Sequence, residues 1–208
     1  LPDALAALPL EFRALVGIAD PLRADVPAAV RACQAAGVRV VMITGDYPET
    51  ARAIAAQAGI APLETLTGAE LDTLDDAALS RRLAGVGVCA RIQPRQKLRI
   101  VEALKAGGAV VAMTGDGVND APAIKAADIG IAMGITGTDV TKEASDMVLT
   151  DDNFASIVSA VEEGRGIFDN IRKVLQFLLS CNFGEILLML VASLLGWPAP
   201  LLPIQLLW

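Results

Sequence analysis

No histidine occurs among the 208 residues. Ser-His-Asp catalysis, Cys-His catalysis and histidine-ligated zinc are therefore excluded within this chain. Cysteine is almost as scarce: Cys33, Cys89 and Cys181 are far apart, and no CxxC pair occurs. That spacing offers no disulfide framework and suits a reducing compartment. Positive charge is short as well, with 17 Lys and Arg against 24 Asp and Glu and a net charge of −7. Nucleic-acid binders carry a basic patch or stripe, so no nucleic-acid partner is expected.

What the chain has in excess is apolar residues, 54% of the total, more than an ordinary soluble domain carries. The surplus collects near the C-terminus. From Val174 to Leu195 the sequence reads VLQFLLSCNFGEILLMLVASLL, long enough for the roughly 20 residues of a membrane-spanning helix. WPAP and then LLPIQLLW follow, and so short a stretch does not cross a bilayer as a helix. The chain starts without Met and in mid-pattern. It reads as an excerpt of a longer protein, and no signal peptide is visible.

Ahead of that span, short apolar runs alternate with alanine-rich helical stretches. ALVGIA (14–19), VRVVMI (38–43), VGVCA (86–90), AVVAM (109–113), IGIAM (129–133) and DMVL (146–149) read as strands. DVPAAVRACQAAG, PETARAIAAQAG, PRQKLRIVEALKAGG and NDAPAIKAA read as helices, the first three closed by glycine. Residues 64–84 form a polar, acidic interval. Near-continuous apolar strands imply burial on both faces, as in a parallel α/β sheet wrapped by helices. Residues 1–153 are expected to form that α/β unit. A proline-free helical pattern from 154 predicts a stalk over 154–173, a transmembrane helix over 174–196, and a loop with the start of another span over 197–208. Arg172 and Lys173 stand where the helix would enter lipid, so the α/β unit is expected on the cytoplasmic side.

Two phrases nearly repeat: VVMITGD (40–46) and VVAMTGD (110–116). Each is a buried strand followed by Thr-Gly-Asp. Ligands of open α/β sheets bind at the carboxyl ends of strands. If the two strands are sheet neighbours, Thr44, Gly45, Asp46 and Asp116 converge on one edge. Glycine lets backbone N–H groups approach an anion, and threonine hydroxyls donate to phosphate oxygens. Aspartates repel phosphate unless a cation stands between, and Mg²⁺ is usually held by one or two carboxylates plus phosphate oxygens. Asp116 is the candidate ligand, Asn119 a donor to phosphate, and Asp120 the partner of a lysine. Lys97, opening the preceding helix, is the cation to neutralise a transferred phosphoryl group. A lone TGD is common turn chemistry, but a structural turn does not require the acid density of TGDGVNDAP (114–122).

MTGDGVNDAPAIKAADIGIAMG resembles the hinge motif of P-type cation-transporting ATPases, members of the haloacid dehalogenase superfamily. DPLR (20–23), MITGD (42–46) and CARIQPRQK (89–97) resemble further motifs of that family. GTDVTKEASDMVLTDDNFASIVSAVEEGR (137–165) resembles its type II subgroup, which includes the calcium pumps. The resemblance implies a haloacid-dehalogenase-like, doubly wound parallel sheet, ATP and Mg²⁺ as cofactors, and an aspartyl-phosphate intermediate. It implies Asp116 as the Mg²⁺ ligand, with Asp120 supporting that site by ordering Lys97 and Asn119. Lys97, Thr44, Gly45 and Asn119 would stand at the phosphoryl group, Arg91 at the nucleotide, and Asp46 at its phosphate end. The family's nucleophile lies in a D-K-T-G-T motif, and no such string occurs here. The phosphorylated aspartate is therefore expected outside this chain, and the fragment alone is expected to be inactive.

Within the apolar span Gln176, Asn182 and Glu185 are out of place in lipid. An ionisable group there costs several kcal/mol, roughly 2.5–3.5 for related groups, and is a functional hypothesis by default. Asn182 and Glu185 share a helix face at i, i+3 and offer hard oxygen ligands to a cation. The plainer alternative is a polar contact between packed helices. SCNFGE resembles the fifth transmembrane helix of calcium pumps, which implies Ca²⁺ as the transported ion. The expected partners are the bilayer and the rest of the same polypeptide, in a multi-pass protein of a bacterial plasma membrane. Two other readings stand beside the pump: a phosphatase of the same superfamily, and a non-catalytic, membrane-anchored relic or regulator.

Overall fold

The computed structural model describes residues 11–14, 16, 17, 20–60, 64–198 and 200. The first helix, α1 (Val26–Ala35), precedes a short strand β1 (Met42–Ile43) and helix α2 (Pro48–Ala58). Pro48 opens α2, where its missing N–H has no partner to lose, and Gly59 closes it in the left-handed conformation at φ 79°. Strand β2 (Glu64–Thr67) and helices α3 (Gly68–Thr73) and α4 (Asp76–Leu83) follow, then β3 (Val86–Ala90) and α5 (Pro94–Ala106). The second half runs β4 (Ala112–Gly115), a 3₁₀ turn at Val118–Asp120, α6 (Ala121–Ala126), β5 (Ile129–Met133), α7 (Asp139–Ala144) and β6 (Met147–Leu149). It ends in a single helix, α8 (Phe154–Leu194).

All strand pairs are parallel, as the apolar strand pattern predicts. They form two three-stranded sheets, ordered β1-β3-β2 and β4-β5-β6. Every residue of β3 is buried, because β3 is the middle strand and helices cover both its faces. One core gathers Leu66, Leu71, Leu79, Leu83, Val86 and Ile100 between the first sheet, α3, α4 and α5. Each such side chain contributes about 1.5–3 kcal/mol by leaving water. A second core sets Val30, Ala51 and Ala55 against Val88 and Ala90. Small alanines let α1 and α2 lie close to the sheet.

The structure goes beyond or against the sequence pattern at three places. The TGD strands are not sheet neighbours, since β1 pairs with β3 and β4 with β5. Of the predicted strand at 14–19, the described residues Ala14, Val16 and Gly17 form none, and Val16 is 83% exposed. An extended segment becomes a strand only where a neighbour satisfies its N–H and C=O groups; residues 15, 18 and 19 lie outside the described residues. The polar, acidic interval, to which the sequence pattern assigns no element, carries β2, α3 and α4. Its signal is the capping box at Thr67: Glu70 N–H donates to Thr67 Oγ1 at 3.3 Å, and Thr67 N–H donates to Glu70 Oε2 at 2.8 Å.

Helix α8 has 41 residues, so it is about 60 Å long at 1.5 Å per residue, roughly twice the hydrocarbon thickness of a bilayer. Its first turn packs Phe154 and Ile157 on Ile131 and Leu149. Arg165 Nη2 donates to the Ala36 carbonyl just past α1 at 2.8 Å, a favourable place for a cation. Beyond that point its apolar residues, from Phe168 to Leu194, are largely exposed. Among the described residues it is the one helix long and apolar enough to cross a membrane.

Candidate phosphoryl-transfer site

The end of β3 holds the loop that follows β1. Thr44 N–H donates to the Cys89 carbonyl at 2.9 Å, Ile92 N–H to the Thr44 carbonyl at 3.0 Å, and Arg91 N–H to the Asp46 carbonyl at 3.0 Å. Thr44 Oγ1 accepts from Asp46 N–H at 3.1 Å, so the hydroxyl hydrogen is left to donate to a bound anion. Gly45 and Asp46 are exposed. Arg91 sits in the left-handed region at φ 54°, and its guanidinium lies over the Tyr47 ring, 4.5 Å from the centroid. That exposed cation–π contact is worth about 0.5–1 kcal/mol and steadies the guanidinium at the mouth of the loop.

Strand β4 delivers Asp116 directly after Gly115. The Asp116 carboxylate is exposed, as is Asn119, whereas Asp120 is buried. Lys97 Nζ lies 2.5 Å from Asp120 Oδ1, with the two side chains 21% and 9% exposed. Gly117 N–H donates to the other oxygen, Oδ2, at 3.3 Å. A cation and an N–H thus satisfy this buried carboxylate, as burial demands. Among the described residues no hydrogen bond links the Asn119 side chain to Asp120, so the visible effect of Asp120 falls on Lys97.

Gly115 is required by this arrangement. A Cβ there would stand 2.6 Å from the Asp120 Cβ and 2.7 Å from its carboxyl carbon, closer than real contacts allow. Gly115→Ala is expected to push Asp120 off Lys97 and to lower stability by about 1–3 kcal/mol, the usual cost of overpacking. Denaturant unfolding of the two proteins measures this, and an unchanged midpoint rules it out.

A slot of about 450 Å³ runs between the free edges of β1 and β4. Met42, Ile43, Lys97, Met113, Asp116 and Asp120 are among its lining residues. Thr44, Gly45 and Asp46 continue from Ile43, so both TGD loops leave strands that flank this slot, although no hydrogen bond joins them among the described residues. Thr114 also lines it and keeps a buried hydroxyl oxygen without a hydrogen-bond partner. The donor set suits Mg²⁺: one exposed carboxylate, Asp116, beside a second, Asp120, already committed to a lysine. Mg²⁺ typically takes one or two carboxylates and completes its octahedron with water and phosphate oxygens.

Sequence reasoning did not single out Asp152. It is buried and left-handed at φ 50°. Its carboxylate accepts from Ile135 N–H at 2.9 Å, and from Thr136 N–H at 2.7 Å and Thr136 Oγ1 at 2.8 Å. The Ile135 bond, with those from Thr136, holds its carboxyl down at about 2 against the opposing effect of burial. The available signal was position: an acid just beyond a strand, in TDDNF (150–154). In α8, Asn182 is exposed and Glu185 half-buried, three residues apart; Gln176 is exposed one to two turns earlier. Cys33 and Cys89 are free and buried, and Cys181 is free and exposed. Burial pushes the Cys89 thiol up to about 12.

The parallel α/β fold carries a lysine-paired aspartate, Asp120, and a second, exposed aspartate, Asp116, at the carboxyl end of a strand. Models described as haloacid dehalogenase-like hydrolase match residues 2–128 and 97–161, and the chain belongs to that family. Within it, the chain is similar to cation-transporting P-type ATPases. It is 56% identical over 201 residues to calcium-transporting ATPase 1 of Bacillus cereus and 55% identical to the calcium-transporting ATPase of Bacillus subtilis. It is 50% identical to calcium-transporting ATPase type 2C member 1 of the mouse. These matches take in 96% of this chain but only 22–23% of each relative, so the chain spans about a quarter of their length. Among solved structures, a zinc-transporting PIB-type ATPase in its E2·Pi state superposes with a TM-score of 0.63 at 36% identity. That match covers 86% of this chain and 24% of the other.

Proposed function

We propose that this chain is a section of an ATP-driven cation pump, with Ca²⁺ as the transported ion, working through an aspartyl phosphate formed on a residue outside these 208. The observation that carries the reading is the slot. Two parallel half-sheets present free strand edges to one gap, and Lys97, Asp116 and Asp120 line it beside the ends of both TGD strands. A further parallel strand from the same polypeptide would pair with both edges. Its carboxyl end would bring the phosphorylated aspartate to this site. Residues 1–153 are assigned to the phosphorylation unit, 154–173 to a stalk, 174–196 to a span and 197–208 to the approach to another span.

Each residue then has a task. Asp116 would hold Mg²⁺, which when bound would supply charge neutralisation at the phosphoryl oxygens. Lys97 offsets the charge that develops during transfer, and Asp120 keeps its ammonium in place. Thr44 Oγ, the Gly45 N–H and Asn119 donate to the phosphoryl oxygens. Arg91, held against Tyr47, reaches the nucleotide, and Asp46 supports its phosphate end. The α8 pair Asn182 and Glu185 supplies oxygen ligands to the transported cation. The phosphatase reading shares the cytoplasmic site but leaves a 41-residue helix with a lipid-length apolar half unexplained.

The test is phosphorylation of the intact protein in its membranes by labelled ATP. The pump reading expects acid-stable, hydroxylamine-sensitive label that depends on Mg²⁺ and on the transported cation. Label independent of any cation overturns it. Glu185→Gln is expected to leave Mg²⁺-dependent phosphorylation from inorganic phosphate intact while raising the Ca²⁺ needed for half-maximal ATPase activity by about tenfold, close to 1.4 kcal/mol. An unchanged Ca²⁺ midpoint removes Glu185 from the transport site.

A further inference from the structure

The mechanism above leaves Asp152 without a task, yet it is one of the few buried charged side chains in the α/β unit. It stands between β6 and α8, immediately before Asn153, whose side chain caps α8 by accepting from Ala155 N–H at 2.8 Å. Its own carbonyl accepts from Arg23 Nη1 at 2.6 Å. Its carboxylate reaches away from the helix to the loop that follows β5, taking the N–H groups of Ile135 and Thr136 and the Thr136 hydroxyl.

That loop is built without slack. At Gly134 a Cβ would stand 2.6 Å from the Leu149 carbonyl oxygen, and at Gly137 it would collide with the Met133 carbonyl. Gly134 N–H also donates to the Leu149 carbonyl at 2.8 Å. The far end of the loop is Thr138, whose N–H donates to the carbonyl oxygen of Asp116 at 3.1 Å. A path therefore runs from Asp152, two residues ahead of α8, through hydrogen bonds to Thr136, two residues of backbone and the Thr138 N–H to the backbone of Asp116, the proposed Mg²⁺ ligand.

We propose that Asp152 is a positioning residue for Asp116: it fixes the 134–138 loop, the loop fixes the Asp116 backbone, and the start of α8 is thereby tied to the metal site. This rests on the reading of Asp116 as the Mg²⁺ ligand. Groups that orient metal ligands from outside the coordination shell typically account for 10–100-fold in metal affinity.

The experiment compares Asp152→Ala, Thr138→Pro and Thr138→Ala in the intact protein. Thr138 has φ −72°, which proline adopts without strain. Thr138→Pro deletes the N–H that reaches Asp116, whereas Thr138→Ala loses the same side chain and keeps that N–H. Amide hydrogen exchange over 112–120, without ligand, is the readout independent of activity. Asp152→Ala and Thr138→Pro are expected to speed exchange there about tenfold and to raise the Mg²⁺ midpoint for phosphorylation about tenfold. Thr138→Ala is expected to stay near wild type in both. Faster exchange confined to 134–152, or identical behaviour of the two Thr138 variants, overturns the proposal. Should Asp152→Ala fail to fold, the Thr138 pair decides. A wild-type protein without Mg²⁺-dependent phosphorylation defeats the pump reading instead, while the exchange data still judge the link between Asp152 and Asp116.

Discussion

Asp116→Ala is expected to lower ATP-dependent phosphorylation of the intact protein by at least about 10²–10³-fold, the usual cost of removing a preorganised electrostatic group at a reacting centre. The carboxylate is exposed, and its backbone carbonyl, not its side chain, carries the bond to Thr138. Its removal should therefore shift folding stability by no more than about 0.5 kcal/mol. The combination is diagnostic: activity collapses while the unfolding midpoint stays. Chelating Mg²⁺ should bring the wild type down to the level of the variant and leave the variant unchanged. Asp116→Asn keeps the shape without the charge and should behave like alanine. Phosphorylation rates across a Mg²⁺ titration measure all three, and normal turnover of Asp116→Ala sinks the assignment.

The second large effect is expected at Lys97, where activity and stability fall together. Lys97→Met keeps the apolar stem but leaves the Asp120 carboxylate, 9% exposed, without its cation. Removing one partner of a buried pair costs about 3–5 kcal/mol, and the partial exposure of Lys97 puts this case toward the lower end. Phosphoryl transfer should fall by at least about 10²-fold as well, because the ammonium that meets the developing charge is gone and Mg²⁺ alone is left to offset it. Pairing Lys97→Met with Asp120→Asn separates the two roles. The double variant should regain most of the lost stability, since no unpaired charge is left, yet remain inactive. Denaturant unfolding and phosphorylation assays on both singles and the double complete the cycle. A double variant that recovers activity would show that Lys97 serves only to neutralise Asp120.

Much of this molecule is legible one segment at a time. The apolar runs VGVCA and IGIAM coincide with β3 and β5, because a central parallel strand is buried on both faces and needs apolar residues throughout. Pro48 and Pro94 mark helix starts, and Gly59 a helix end, because these effects act within one turn of chain. Strand β1 is less legible: VRVVMI promises six residues, but only Met42 and Ile43 pair. The density of acids in TGDGVNDAP marks a turn whose Asp116 and Asp120 line the slot, and the apolar run marks the lipid-length half of α8.

By itself, then, the sequence determined most of the helices and the central strands, the parallel α/β class, the lipid-length half of α8 and the residue types able to meet a phosphoryl group. All of these depend on neighbours within a few positions along the chain. Only the tertiary structure decided which groups meet. Lys97 finds Asp120 across 23 positions, and the two TGD strands face one slot without pairing. Asp152 holds Thr136 across 16 positions, so that Thr138 can hold Asp116. Such contacts follow from the order in which strands stack and from the path of the loops between them. Many sequences with the same local pattern would stack differently, so no local pattern encodes them.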